Sequence, residues 1–171
     1  VHHEGATVTL EPARELEIEF EIDFSDAVIG HQEKRLNMAN GAFVRELCDS
    51  RTFCRRADID AMRDRGLIVG ASVTSAVVVD GDTVVTPGGM RHVDEPVRHK
   101  MLDALGDLAL AGGPILGRYF GQRAGHAMTN RVLRALFADP TAYEMIECDA
   151  AQVARLPGAG LRRADSARIA A

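Results

Sequence analysis

"LEIEFEIDF" (residues 16–24) alternates apolar and acidic residues without a break. Leu16, Ile18, Phe20, Ile22 and Phe24 fall on one side, and Glu17, Glu19, Glu21 and Asp23 on the other. Successive side chains of a strand point to opposite faces, so this pattern predicts a strand with one buried face and one wet, charged face. That division is characteristic of antiparallel sheets, and "ATVTL" (residues 6–10) repeats it upstream. A sheet with one apolar face needs a cover, and two helical stretches downstream can supply it.

The stronger is "DEPVRHKMLDALGDLALAG" (residues 94–112), with acidic residues and Pro96 at its start and Gly112, Gly113 and Pro114 to stop it. The second is "HAMTNRVLRALFAD" (residues 126–139), ended by Pro140, and "GGPILGRYFGQRAG" (residues 112–125) reads as a Gly-rich linker between the two. Between sheet and helices, "SDAVIGHQEKRLNMAN" (residues 25–40) reads as irregular. Asn40 then caps a helix through "GAFVRELCDS", with Phe43, Leu47 and Val44 turned inward. "RTFC" predicts a short strand, "RRADIDAMRDRG" a short helix ending on Gly66, and "LIVGASVTSAVVVD" one or two strands, with a tight turn at Asp80-Gly81 into "DTVVT". The expected fold is α+β: a two-layer sandwich in which a mainly antiparallel sheet is covered on one face by two helices, with a small βαβ insert at about residues 52–79. Residues 1–155 form the expected domain, and 156–171 a flexible tail.

The 171 residues, 46% hydrophobic and 26% charged with a net charge of -5, suffice for one sizeable core. An acidic balance without a basic stripe argues against a dedicated nucleic-acid binder. Cys48, Cys54 and Cys148 lie far apart, which fits neither a disulfide framework nor a thiolate zinc site. No run of 18 uncharged apolar residues and no signal-peptide pattern is found, so a soluble, cytoplasmic protein is expected. The chain opens in strand-like alternation without a methionine, and a piece of a longer protein is expected.

Within the long helix, "VRHKMLDALGD" (residues 97–107) carries His99, Asp103 and Asp107 at spacings of four. At about 100° per residue these lie within an arc of roughly 80°. The simple reading is a solvated face with a local His–Asp contact. However, Met101, Leu102, Leu105, Leu108 and Leu110 cover much of the circumference, and charge on a helix packed on several sides must be paired or bound to a cation. An imidazole and a carboxylate one turn apart can close on a single zinc ion. Asp107 is too far along for a third ligand but could orient a second histidine. His126, after Gly125, is either a surface residue at a helix start or a candidate general acid paired to that carboxylate.

Together "VRHKMLDALGD", "AGHAMTN", "RTF" after a helix and "AVVVDGD" into a strand resemble, in order and spacing, the C-terminal half of the UDP-3-O-acyl-N-acetylglucosamine deacetylases. These are the zinc amidases of bacterial lipid A biosynthesis, and the similarity runs from about Leu16 to about Glu144. The resemblance implies Zn2+ as cofactor, with His99 and Asp103 as two of three protein ligands and His126 as general acid with Asp107 as its partner. Thr52 of "RTF" would be the oxyanion-stabilising hydroxyl. Lys100 and Arg123 would face the nucleotide diphosphate, although the family commonly has lysine at the latter position. Phe24 would stack on the uracil, with Asp23, Phe53 and Gly125 also contacting substrate. Phe53, Ile59, Met62, Leu67, Ile68 and Val69 would line the acyl passage.

The family's third ligand and catalytic glutamate belong to an N-terminal half that nothing here matches; His2, His3 and Glu4 have suitable chemistry but the wrong place. Departures around "RTFCRR", Thr74 and Pro96 bear on acyl preference. Two functions are therefore open. One is a zinc deacetylase half acting on UDP-3-O-acyl-N-acetylglucosamine together with the missing N-terminal half. The other is a catalytically inactive UDP-sugar and acyl-binding module without metal.

Overall fold

The computed structural model describes residues 1–66 and 75–165. It contains a five-stranded sheet built from β1 (His2–His3), β2 (Ala6–Pro12), β3 (Glu17–Phe24), β4 (Gly30–Asn37) and β8 (Gly117–Gln122), in the order β1-β2-β8-β3-β4. Three strand pairs are antiparallel, and β8 runs parallel to β3. A second unit comprises β5 (Phe53–Arg55), α1 (Arg56–Asp64), β6 (Val77–Asp80) and β7 (Thr83–Val84). In it β5 and β6 are parallel, and β6 turns back into β7 through Gly81 and Asp82. The expected α+β class and the βαβ insert are both present. Leu67, Ile68, Val69 and Thr74 lie outside the described residues.

Two helices, α2 (Glu95–Leu108) and α3 (His126–Ala138), cover the apolar face of the larger sheet. Ile18, Phe20 and Ile22 of β3, Val8 of β2 and Tyr119 of β8 meet Val97, Met101, Ala104 and Leu108 of α2 and Met128, Val132 and Leu133 of α3 in one core. Val77 and Val79 belong to the same core, so the insert is anchored to it through β6. A short helix, α4 (Ala150–Val153), follows, with Asp149 and Gln152 forming a reciprocal capping box. Farther on, Asp165 is buried and accepts from the Arg162 amide at 2.9 Å and from Arg45 at 3.4 Å. No helix among the described residues is long and apolar enough to cross a membrane.

Several sequence expectations are corrected. The stretch expected to link the helices contains β8, a central strand whose buried positions are Gly117, Tyr119 and Gly121. A β-carbon at Gly121 would stand 2.8 Å from the Phe20 ring, so the glycine makes room for an aromatic neighbour instead of marking a loop. Residues 30–37, read as irregular, pair with β3 along their whole length. Their inward positions are Gln32, Lys34 and Leu36, and the polar heads reach past the core. Gln32 accepts from the Val97 amide at 3.2 Å, capping α2 from a distant strand, and Lys34 meets Asp94 at 2.9 Å. Asn40 does not cap the next helix, which is a single wide turn at Phe43–Leu47 preceded by Ala42. Val44 and Leu47 are buried there, but Phe43 is exposed, as is Leu110 beyond α2.

Candidate active site

Helix α2 presents a polar row on its flank, and α3 starts beside it. His99 Nε2 lies 3.3 Å from Asp103 Oδ1, both side chains being largely buried. His126, the first residue of α3, places Nδ1 2.9 Å from Asp107 Oδ2 and Nε2 3.8 Å from Asp103 Oδ2. The four groups thus form one chain, His99, Asp103, His126 and Asp107, across two helices. His126 is the open end, its side chain 69% exposed above a depression of about 460 Å³ that Asp107, Leu110, Asn130 and Arg134 also line. Gly125, extended at the cap of α3, brings backbone close to the row: a β-carbon there would sit 3.5 Å from Lys100 Nζ. Burial holds the Lys100 ammonium below the usual lysine range, although Asp103 and Asp107 pull the other way.

The His99 ring is constrained on its other side. Nδ1 lies 3.0 Å from the Ser50 carbonyl oxygen, which can only accept, so Nδ1 carries the proton. In the neutral imidazole Nε2 is then a bare lone pair, and it faces a carboxylate oxygen. Two acceptors facing each other at 3.3 Å make a seat suited to a cation. Tetrahedral zinc with bonds of about 2.0–2.1 Å has ligand–ligand edges of roughly 3.3 Å, so this donor pair fits such an ion. Among the described residues no group of three or more His, Cys, Asp and Glu side chains could hold a metal, so the pair is an incomplete set.

The remaining sequence candidates make contacts of their own. Phe24 ends β3 and meets Phe53, at the start of β5, edge to face with centroids 5.4 Å apart. Arg123 adopts a positive φ of 51°, donates its amide to the Glu21 carbonyl and pairs its guanidinium with Asp23. Thr52 is exposed, and its carbonyl accepts from the Val77 amide at 2.7 Å, joining the RTF segment to β6.

Sequence reasoning missed Arg51 and Glu95. Glu95 is fully buried and accepts from the Arg51 amide at 3.0 Å, from Arg51 Nε at 2.9 Å and Nη2 at 3.1 Å, and from the Arg91 amide at 2.6 Å. Burial alone would push its carboxyl up, but these bonds hold it below the usual range. The available signal was a glutamate directly before a proline at the helix start, which reads as simple dipole compensation.

Comparison with known proteins relates the amino-acid sequence of the chain to a family. The family described as "LpxC: UDP-3-O-acyl N-acetylglycosamine deacetylase" matches residues 1–138. The UDP-3-O-acyl-N-acetylglucosamine deacetylase of Phenylobacterium zucineum (strain HLK1) is 46% identical over 136 residues, covering 80% of this chain and 46% of that protein. The protein of the same name from Anaeromyxobacter dehalogenans (strain 2CP-C) is 38% identical over 163 residues, covering 92% and 53%. One from Shewanella violacea is 41% identical over 141 residues, covering 81% and 46%. The chain spans about half the length of these relatives. It belongs to the LpxC family of UDP-3-O-acyl N-acetylglycosamine deacetylases.

Proposed function

We propose that the chain is the C-terminal half of a zinc-dependent amidohydrolase that removes acetate from UDP-3-O-acyl-N-acetylglucosamine, in the cytoplasm, on the route to lipid A. The observation that carries this reading is the commitment of His99 Nδ1 to the Ser50 carbonyl, which leaves Nε2 and Asp103 Oδ1 converging at 3.3 Å. When zinc is bound there, the chemistry it supplies is polarisation of the acetamide carbonyl and acidification of a bound water.

The chain's own residues do the rest. His99 and Asp103 hold the metal. The N-terminal half, the expected partner, contributes the third ligand and the base. His126 holds a proton at Nε2, the nitrogen toward Asp103 at 3.8 Å, and gives it to the departing amine, while Asp107 fixes the ring through Nδ1 at 2.9 Å. Thr52 directs its hydroxyl at the charge that develops on the carbonyl oxygen. Lys100 and Arg123 take the diphosphate, with Asp23 steering the Arg123 guanidinium and Gly125 allowing close approach of the backbone. The Phe24–Phe53 pair offers an aromatic surface to the uracil and the start of the acyl chain.

The test is His99→Ala in the protein that carries both halves. Zinc content should fall from one equivalent and deacetylation should be lost, with the fold intact by circular dichroism. Retention of zinc and turnover would remove His99 from the ligand set. An unaltered wild-type protein that binds a UDP ligand equally with and without chelator, and releases no acetate, would favour the inactive binding module.

A further inference from the structure

The peptide group between Ser50 and Arg51 is gripped at both ends by one helix. Its N–H donates to Glu95 at 3.0 Å, and its C=O accepts from His99 Nδ1 at 3.0 Å. A trans peptide points these two groups in opposite directions, and residues 95 and 99 stand one turn apart on the same side of α2, so one planar unit spans both. The Arg51 side chain locks it in place. Its guanidinium makes a two-point contact with the same buried carboxylate and also donates to the Gly89 carbonyl at 2.8 Å. Ser50 contributes only its backbone, for its Oγ is buried without a hydrogen-bond partner.

We propose that Glu95, with Arg51, is a positioning residue for the His99 imidazole. By holding the 50–51 peptide plane it presents the Ser50 carbonyl to Nδ1, and this selects the tautomer whose Nε2 lone pair is free. The proposal rests on the metal reading for its purpose, but the tautomer it describes exists without metal. An orienting acceptor behind a ligating histidine fixes both its ring and its protonated nitrogen. Here that acceptor is a backbone atom, so a residue one turn back must hold it.

The test is nitrogen NMR of the histidine-labelled 171-residue chain without metal, comparing Arg51→Met/Glu95→Met with Arg51→Met/Glu95→Gln. The first removes both charges and the acceptor for the Arg51 amide; the second keeps an amide oxygen there. At a pH where the ring is neutral, His99 of the unaltered chain should be the Nδ1–H tautomer. The Met pair should shift its tautomer ratio at least fivefold toward Nε2–H, and the Gln variant should restore it. A neutral wild-type His99 carrying its proton at Nε2, or a folded Met pair with the wild-type ratio, overturns the proposal. Should the Met pair fail to fold, the Gln variant decides: the wild-type tautomer supports the proposal and its loss overturns it. Zinc titration of the protein with both halves separates the two readings. If the wild type takes up no zinc through His99, the metal reading falls while the tautomer result stands. If it does, the Met pair should bind about 10- to 100-fold more weakly and the Gln variant close to wild type.

Discussion

The two histidine–aspartate pairs, one within α2 and one joining α2 to α3, use the same residue types for opposite mechanical ends. At His99 the ring is sunk between its carboxylate and a backbone carbonyl, itself tied to an ion pair whose carboxylate is fully buried. At His126 the ring rests on Asp107 with Asp103 3.8 Å away, and more than two thirds of it faces solvent. A metal ligand benefits from being immobile, whereas a group that delivers a proton must reach both substrate and water. The depth of support behind each ring distinguishes the two proposed roles better than the His–Asp contact itself, which both share.

The contrast makes graded predictions. The largest effect is on chemistry at the open end: His126→Ala in the protein carrying both halves should lower the deacetylation rate about 10²- to 10⁴-fold, with zinc content unchanged. Loss of zinc in that variant would make the two histidines equivalent. Next, Glu95→Ala should strand the Arg51 guanidinium and cost about 3–5 kcal/mol in urea unfolding. A cost below about 1 kcal/mol would show that the buried end is no better supported than the open one.

Tyr119 comes third. It lies under α3, fully buried and bonded to Thr129 at 2.9 Å, and burial pushes its hydroxyl up to about 12. Raised above the ordinary value near 10, it contributes stability that is complete below that pH and lost as pH climbs through 12, about 2–3 kcal/mol in all. Alkaline unfolding should therefore be steeper in the wild type than in Tyr119→Phe, and identical curves would contradict this. Smallest is Asp107→Ala, expected to change stability by less than about 1 kcal/mol in the same unfolding measurement because its partner is exposed.

How much of this could be read from residues depends on which atoms do the work. Strand β3 was legible because its outward positions are acidic and its inward ones apolar, and α2 because its apolar rows and terminal glycines agree. Strand β4 was hidden by Gln32 and Lys34, inward-facing residues whose heads serve α2 instead of the core. Strand β8 was hidden by glycines, of which Gly121 is small because the Phe20 and Tyr119 rings occupy the space and Gly117 because the Glu11 carbonyl and Ile115 do. In the site, the His99 and Asp103 spacing was visible, and the approach of His126 to Asp107 was expected. The Ser50 carbonyl was not, since every residue carries one and only the fold says which is aimed at a ring. Arg51 and Glu95 went unread for a related reason: an ion pair 44 positions apart has no local pattern.

The place of β8 between β2 and β3 has a consequence for how the chain reaches its native state. β2 and β3 are near neighbours in sequence yet are not paired with each other; each waits for a strand made roughly a hundred residues later, Arg118 pairing with Glu17 on one side and Glu11 on the other. During synthesis both therefore emerge with an open edge, β3 being able to close only against β4. Such late, long-range closure slows folding and leaves sticky edges exposed on the ribosome. The row of glutamates along β3 then has a second use, keeping a half-made sheet from annealing to its neighbours until its middle strand arrives.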